Sequence, residues 1–274
     1  MKPTGTMILF IGLTIASFAQ NAEDNFYSGV EAARQSHYAD AIIFFSRAIK
    51  SNKHLTEAWF NRALAKSKLN DYKGAIADYS AAIKLNSFMA KAYLNRGADF
   101  KEVGNLRDAI ADYTKAIEID PGYALAFYNR GIVYFRLYDY MKANEDFTRA
   151  VTLDSTMIDG WFNLGITSHK LQENENAIRC FSKVIAIDAK QCQALKQRAI
   201  CFIQTGDYKK SIADLKQILM INEKDCEVWK LLGQVAATLN ATGEGAIFFA
   251  KAEALGCIIN KEPLELFVQT NTKR

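Results

Sequence analysis

The tetrapeptide FNRA at residues 60–63 returns as LNRG at 94–97 and as YNRG at 128–131, each time 34 residues further on. The same interval holds without insertion or deletion over residues 22–259, giving seven repeats that begin at Ala22, Thr56, Ala90, Ala124, Ile158, Cys192 and Cys226. The eighth place of each repeat is small: Gly29, Ala63, Gly97, Gly131, Gly165, Ala199 and Gly233. The twentieth place is small again, from Ala41 through Ala75, Ala109, Ala143 and Ala177 to Ser211 and Gly245. Four residues later stands a bulky residue: Phe45, Tyr79, Tyr113, Phe147, Phe181, Leu215 or Phe249. Within each half the columns lie three or four apart, and a polar turn such as LNDY, VGNL or TGDY separates the halves. That pattern predicts two antiparallel helices per repeat and an all-α chain. One pair cannot bury both its faces, whereas stacked pairs share a continuous core and leave a long exposed surface. The small columns are expected to let helix axes approach, with the bulky residue filling space toward a neighbouring repeat.

These columns resemble the tetratricopeptide repeat: large aromatic, small residue, alanine, aromatic, alanine and late proline. The resemblance covers residues 22–259, and Asp120, Pro121 and Gly122 supply its one full late-proline turn. It implies a right-handed superhelical solenoid whose first helices line a concave face. The first repeat departs from the pattern with Asn25 where an aromatic belongs, and the sixth with Ser211 and Ile218 in alanine columns. After the last repeat, Leu264, Phe267 and Val268 have helical spacing. A short helix capping the open end of the stack is expected over residues 260–274, with a disordered tail as the alternative.

The opening stretch, MKPTGTMILFIGLTIASFAQ, has one lysine, an apolar run from Met7 to Phe18, and small residues at Ser17 and Ala19. It reads as a signal peptide spanning 1–19, cleaved before Gln20, with a retained anchor as the competing reading. The run falls short of the roughly 20 residues a spanning helix needs, so no membrane span is expected in the mature chain. Export to a periplasmic or secreted location is the resulting expectation. Such a compartment permits disulfides, and the chain has five cysteines. Their irregular spacing and the lack of a CxxC argue against zinc, and a Cys226–Cys257 bridge is left open.

Arg62, Arg96, Arg130 and Arg198 occupy the seventh place, where the family usually has leucine. The twenty-third place of those same repeats holds Asp78, Asp112, Asp146 and Asp214, and the two substitutions travel together. On antiparallel helices both places sit at similar height, so an ion pair between the two helices of one repeat is expected. A ligand-binding arginine is the alternative.

Asn61, Asn95, Asn129 and Asn163 occupy the sixth place, on the face that the resemblance makes concave. Some family members grip an extended peptide backbone with a similar asparagine ladder. A side-chain amide both donates and accepts, so it matches a peptide bond without reading the side chain. The competing reading is a solvated asparagine. Phe60, Leu94, Tyr128, Phe135 and Phe162 would add apolar contacts, and Lys68, Lys101, Arg136 and Lys170 a basic stripe. The family's clamp for chaperone C-terminal carboxylates is absent: the fifth place of the first five repeats is Phe26, Phe60, Leu94, Tyr128 and Phe162, and the ninth place is never asparagine.

Two function classes fall away. The net charge of +4 comes from interspersed signs, without the concentrated basic field of a nucleic-acid binder. His37, His54 and His169 are far apart in the sequence, and there is no HExxH, GxSxG or phosphate-binding glycine loop. The expectation is a non-enzymatic scaffold, without metal or cofactor, that binds a protein or peptide segment. The alternative is a structural adaptor in an envelope or secretion complex, working through its convex face or its ends.

Overall fold

The computed structural model describes residues 6–239 and 241–259, with side chains from residue 20 onward except residue 242. Fourteen helices follow one another, and no strand occurs among the described residues. The odd-numbered ones are α1 (Thr6–Arg34), α3 (Thr56–Lys68), α5 (Ala90–Glu102), α7 (Ala124–Arg136), α9 (Ile158–Lys170), α11 (Cys192–Gln204) and α13 (Cys226–Thr238). The even-numbered ones are α2 (Tyr38–Ser51), α4 (Tyr72–Leu85), α6 (Leu106–Ile119), α8 (Tyr140–Leu153), α10 (Asn174–Ile187), α12 (Tyr208–Ile221) and α14 (Thr242–Ala254). From Thr56 on, each helix of a repeat begins 34 residues after its counterpart in the preceding repeat. The chain forms two compact units, residues 1–133 and 134–274.

Residues 1–5 of the expected leader lie outside the described residues, and from Thr6 the backbone runs as one helix into the first repeat. The helix expected over 260–274 also lies outside them. No helix among the described residues is long and apolar enough to cross a membrane.

Local chemistry sets each helix boundary. The turn inside a repeat passes through a left-handed residue at the fifteenth place: Ser36, Asn70, Gly104, Tyr138, Gln172 and Gly206, with φ between 61° and 80°. Glycine takes that conformation freely, whereas a side chain there pays a strain cost. On the next residue the second helix is capped by Asp71, Asn105, Asp139 or Asp207, whose side chain accepts from a first-turn N–H.

Between repeats the chain turns on an asparagine or aspartate rather than on proline. The side-chain oxygens of Asn52, Asn86, Asp120, Asp154 and Asp188 each accept from the N–H two residues on, at 3.0 Å. Asn222 does the same at 3.2 Å. Where the fourth place is tryptophan, its indole N–H closes the turn: Trp59 donates to the Lys53 carbonyl at 2.9 Å, and Trp161 to that of Ser155 at 2.9 Å.

The core of each unit is a succession of clusters that join neighbouring repeats. Ala63, Ala75 and Tyr79 pack with Ala92 of the next repeat, and Ala177, Phe181 and Val184 with Ala194 and Cys201. The bulky twenty-fourth residue therefore faces two ways. It reaches the neighbour, as the column pattern suggested, and it also lies directly on the small eighth residue of its own first helix. A Cβ on Gly97 would stand 2.9 Å from Tyr113 Cε1, one on Gly165 2.7 Å from Phe181 Cε1, and one on Gly233 2.6 Å from Phe249 Cδ1. Helix separation within a repeat is thus set by an aromatic ring seated on bare backbone.

Gly165→Val is expected to destabilise the second unit by about 1–3 kcal/mol through overpacking. Adding Phe181→Leu should recover part of that loss. Urea denaturation followed by far-UV circular dichroism measures both steps, and an unchanged midpoint for Gly165→Val would refute the packing argument.

Candidate functional site

The repeated polar chemistry is concentrated at the arginines. Arg62 donates from Nε and Nη2 to the two carboxylate oxygens of Asp78, at 2.7 and 2.8 Å. Arg96 grips Asp112 the same way at 2.7 and 2.7 Å, and Arg198 grips Asp214 at 2.8 and 2.7 Å. The aspartates are only 3–5% exposed. Bidentate geometry of this kind is the strong form of a carboxylate–guanidinium pair. Arg130 donates to Thr114 at 2.9 Å, and Asp146 is buried on α8.

A third partner was not anticipated from the sequence. The remaining terminal nitrogen of each guanidinium donates to a hydroxyl on the second helix of the preceding repeat. Arg62 meets Ser46 at 3.0 Å, Arg96 meets Ser80 at 2.8 Å, and Arg198 meets Ser182 at 2.9 Å. Those hydroxyls spend their own proton on the carbonyl four residues back: Ser46 on Ile42, Ser80 on Ile76 and Ser182 on Ile178. Both hydrogen-bonding roles of each serine are therefore used. An aromatic face completes the cage, with Arg62 4.9 Å over Trp59 and Arg96 5.5 Å over Tyr93. The signal was available in the sequence, because the twenty-fifth place reads Ser46, Ser80, Thr114 and Ser182 ahead of the repeats that carry arginine.

Arg62, Arg96 and Arg198 thus each tie three helices together, with the Nε and both terminal nitrogens bonded within the fold. Burial pushes the Asp112 carboxyl up from its ordinary value, against the opposing pull of the Arg96 hydrogen bonds and charge. Asp112→Ala would leave a guanidinium buried and unpaired, at a cost of about 3 kcal/mol. Replacing both partners, as in Arg96→Met with Asp112→Leu, should restore most of that stability. Thermal denaturation of the two single variants and the double variant closes the cycle; a double variant no more stable than Asp112→Ala would count against the pairing energetics.

The asparagine column is half-buried at Asn61, Asn95, Asn129 and Asn163. Asn61 gives one amide proton to the Glu57 carbonyl of its own helix at 2.8 Å. Phe60 and Phe162 are half-buried and lean on the ring below them, with centroids 5.6 Å from Tyr79 and 5.7 Å from Phe181. Tyr128 and Phe135 are half-buried as well. Leu94 belongs to the core at 5% exposure and offers no surface contact, which corrects the expectation for it. Of the expected basic stripe, Lys68, Arg136 and Lys170 are exposed. Lys101 is not, since its side chain is 16% exposed and its ammonium lies 3.3 Å from Glu102.

Beside Asn95, one helical turn along α5, Asp99 is 2% exposed. Ser67 of the preceding repeat donates to its Oδ1 at 2.7 Å. Its Oδ2 and the hydroxyl of Tyr79 are buried without a hydrogen-bond partner among the described residues. Burial pushes the Asp99 carboxyl up to about 6, with Ser67 pulling the other way. The same burial, with the Asp99 charge, raises the Tyr79 phenol, while Asn95 pulls it down.

The folded value of Asp99 lies above its unfolded one, so its contribution to stability is complete below about pH 4 and is lost as the pH rises through about 6. Asp99→Asn should therefore match the wild type at pH 4 and exceed it at pH 7.5 by about 2 kcal/mol after discounting for solvent screening. Denaturant titration at the two pH values tests this; equal stability differences at both would overturn the assignment.

His169, Cys180 and Cys201 form no catalytic relay among the described residues. His169 Nδ1 lies 3.1 Å from Asn174 Oδ1 and 3.5 Å from Cys201 Sγ. One ring nitrogen thus faces both partners, which is not the relay of a nucleophile, base and orienting group. Burial also raises the Cys201 thiol to about 12 and that of Cys180 to about 11. Cys226 and Cys257 are joined in a disulfide with Cα atoms 5.8 Å apart, so although Glu227 is close to both sulfurs they offer no thiolate to a metal. The remaining three cysteines are free.

Known repeat families match this chain in three stretches: TPR repeat over residues 99–137, and tetratricopeptide repeat over 56–88 and 158–191. No curated protein sequence matches it. Many solved structures share the fold. YrrB, described as a TPR protein with an unusual peptide-binding site, is 23% identical, with 67% of this chain and 94% of that one covered and a TM-score of 0.60. PilF from Pseudomonas aeruginosa is 15% identical over 79% of this chain and 98% of its own, with a TM-score of 0.65. A tetratricopeptide repeat protein from Parabacteroides merdae ATCC 43184 is 18% identical over 93% and 98%, with a TM-score of 0.61. Three repeat matches, and helix pairs that recur at the 34-residue interval in both units, place the chain in the tetratricopeptide-repeat family.

Proposed function

We propose that the protein is a non-enzymatic interaction scaffold that holds an extended peptide segment along its first helices. The observation that carries this reading is the asparagine column: Asn61, Asn95 and Asn129 occupy one place on three successive first helices of the first unit, each half-buried. Asn163 holds the same place in the second unit. A half-buried amide is partly desolvated before a partner arrives, and its carbonyl and amino groups complement a peptide bond. In the first unit Phe60 and Tyr128 supply apolar contact beside it, and exposed Lys68 favours a partner with acidic residues. Arg62, Arg96 and Arg198 are assigned a structural part, because Nε and both terminal nitrogens of each are bonded within the fold. The likeness to YrrB, a TPR protein with a peptide-binding site, supports the class of ligand.

We place this activity in an exported compartment, after removal of residues 1–19. The leader pattern supports that, and so does the Cys226–Cys257 bridge, since disulfides persist in oxidising environments. The adaptor reading draws on a different observation. Tyr138 and Met141 are 78% and 61% exposed at the turn into α8, where groove binding does not use them.

Binding that depends on backbone recognition should tolerate many sequences and fail when the peptide backbone is altered. Peptides selected by display against the purified chain should bind Asn95→Ala/Asn129→Ala at least about tenfold more weakly, at about 1 kcal/mol per lost hydrogen bond. N-methylation of the peptide's central amides should weaken binding to the wild type in the same way. Equal affinity of the folded double variant would remove the ladder and shift attention to the turns.

A further inference from the structure

The last repeat lacks the arginine cluster and has a cavity in its place. In the arginine-bearing repeats the guanidinium is surrounded by the fourth, seventh and twenty-third places of its own repeat and the twenty-fifth of the one before. In the last repeat those places are Trp229, Leu232, Phe248 and Lys216. These four, with Leu219 and Glu244, line a cavity of about 290 Å³ among α12, α13 and α14. Leucine and phenylalanine replace the ion pair, and lysine replaces the hydroxyl. Its mouth carries charge of both signs. Lys216 and Glu244 are exposed, and Lys251 stands 4.4 Å over the Trp229 ring while only 3.9 Å from Glu223. An aromatic-walled cavity with cations at its edge suits an apolar side chain flanked by carboxylates.

The chain carries such a segment close by. Residues 260–274 read NKEPLELFVQTNTKR, with Leu264, Leu266, Phe267 and Val268 as apolar residues and Glu262 and Glu265 among them. The disulfide fixes where this segment starts. Cys257 is bonded to Cys226, the first residue of α13, and Trp229 lies one helical turn further along that helix. A turn of three residues rises about 4.5 Å, and the five residues from Ile259 to Leu264 reach about 17 Å when extended, so the cavity lies within range. We infer that the cavity of the last repeat is the docking site of the chain's own C-terminal segment, whose apolar residues pack against Trp229 and Phe248 while Glu262 and Glu265 face Lys216 and Lys251. The disulfide then serves as the hinge pin of an intramolecular latch. This inference stands apart from peptide binding at the asparagines, which involves other helices.

The test uses Trp229 as its own reporter. Trp59→Phe/Trp161→Phe leaves it as the only tryptophan of the three. In that background, deleting residues 260–274 should shift its emission to the red and raise iodide quenching several-fold. A synthetic peptide of residues 260–274 should reverse both changes, and Lys216→Glu should weaken that reversal about tenfold. Should the deletion unfold the last repeat, Leu264→Asp/Phe267→Asp in the full-length chain provides the same comparison, with thermal melting as the control. Emission and quenching that are identical with and without the segment, in a folded chain, would overturn the proposal. So would protection of Trp229 that persists in the deletion variant and disappears on dilution, since a second copy would then be the occupant.

Discussion

Everything in this fold depends on how closely the two helices of a repeat approach. The eighth place bears a single hydrogen or a methyl so that the aromatic at the twenty-fourth can lie against the backbone opposite. That contact fixes the spacing of a pair, and the pair's spacing fixes the width of the platform on which the next first helix rests. Because Tyr79 also touches Ala92 of the following repeat, a change at one glycine is felt beyond its own helix pair. Cores of this kind resist volume change locally and pass it along the stack.

On this apolar frame the arginine cluster adds direction. Dispersion and burial are satisfied by several rotations of one helix against another, whereas a bidentate pair with a third hydrogen bond is satisfied by one. The cluster therefore contributes more to selecting the register between repeats than to net stability, because desolvating the ions offsets much of their attraction. That both lone roles of Ser80 are occupied, one by Ile76 and one by Arg96, leaves little freedom for the helices to slide.

The architecture was legible because its determinants are local and recur seven times. Small and aromatic residues three or four apart identify a helix pair, and covariation of the arginine and aspartate columns pointed to the ion pair. What escaped was chemistry expressed by different residues doing one job. The turn between repeats was sought in proline, yet Asn52 and Asp120 build it identically with their side-chain oxygens. The serine partner belongs to the preceding repeat, so it lies outside the arginine and aspartate columns that vary together within one repeat. Burial was the other blind spot: Leu94 shares a helix face with Asn95 by sequence, and only packing shows that it faces the core. The buried, half-satisfied Asp99 had no repeat counterpart and so gave no column to notice.

The serine to arginine bond has a consequence for how such an array can be edited. A repeat that carries arginine is complete only when its predecessor offers a hydroxyl at the twenty-fifth place, so the repeats are not interchangeable bricks. The order is directional: Ser46 serves Arg62, Ser80 serves Arg96, and Ser182 serves Arg198. Moving the third repeat behind the sixth would set Arg96 against Lys216, cation against cation, although every helix would retain its own pattern. Duplication and shuffling in this array therefore obey a rule of adjacency as strict as the rule of length.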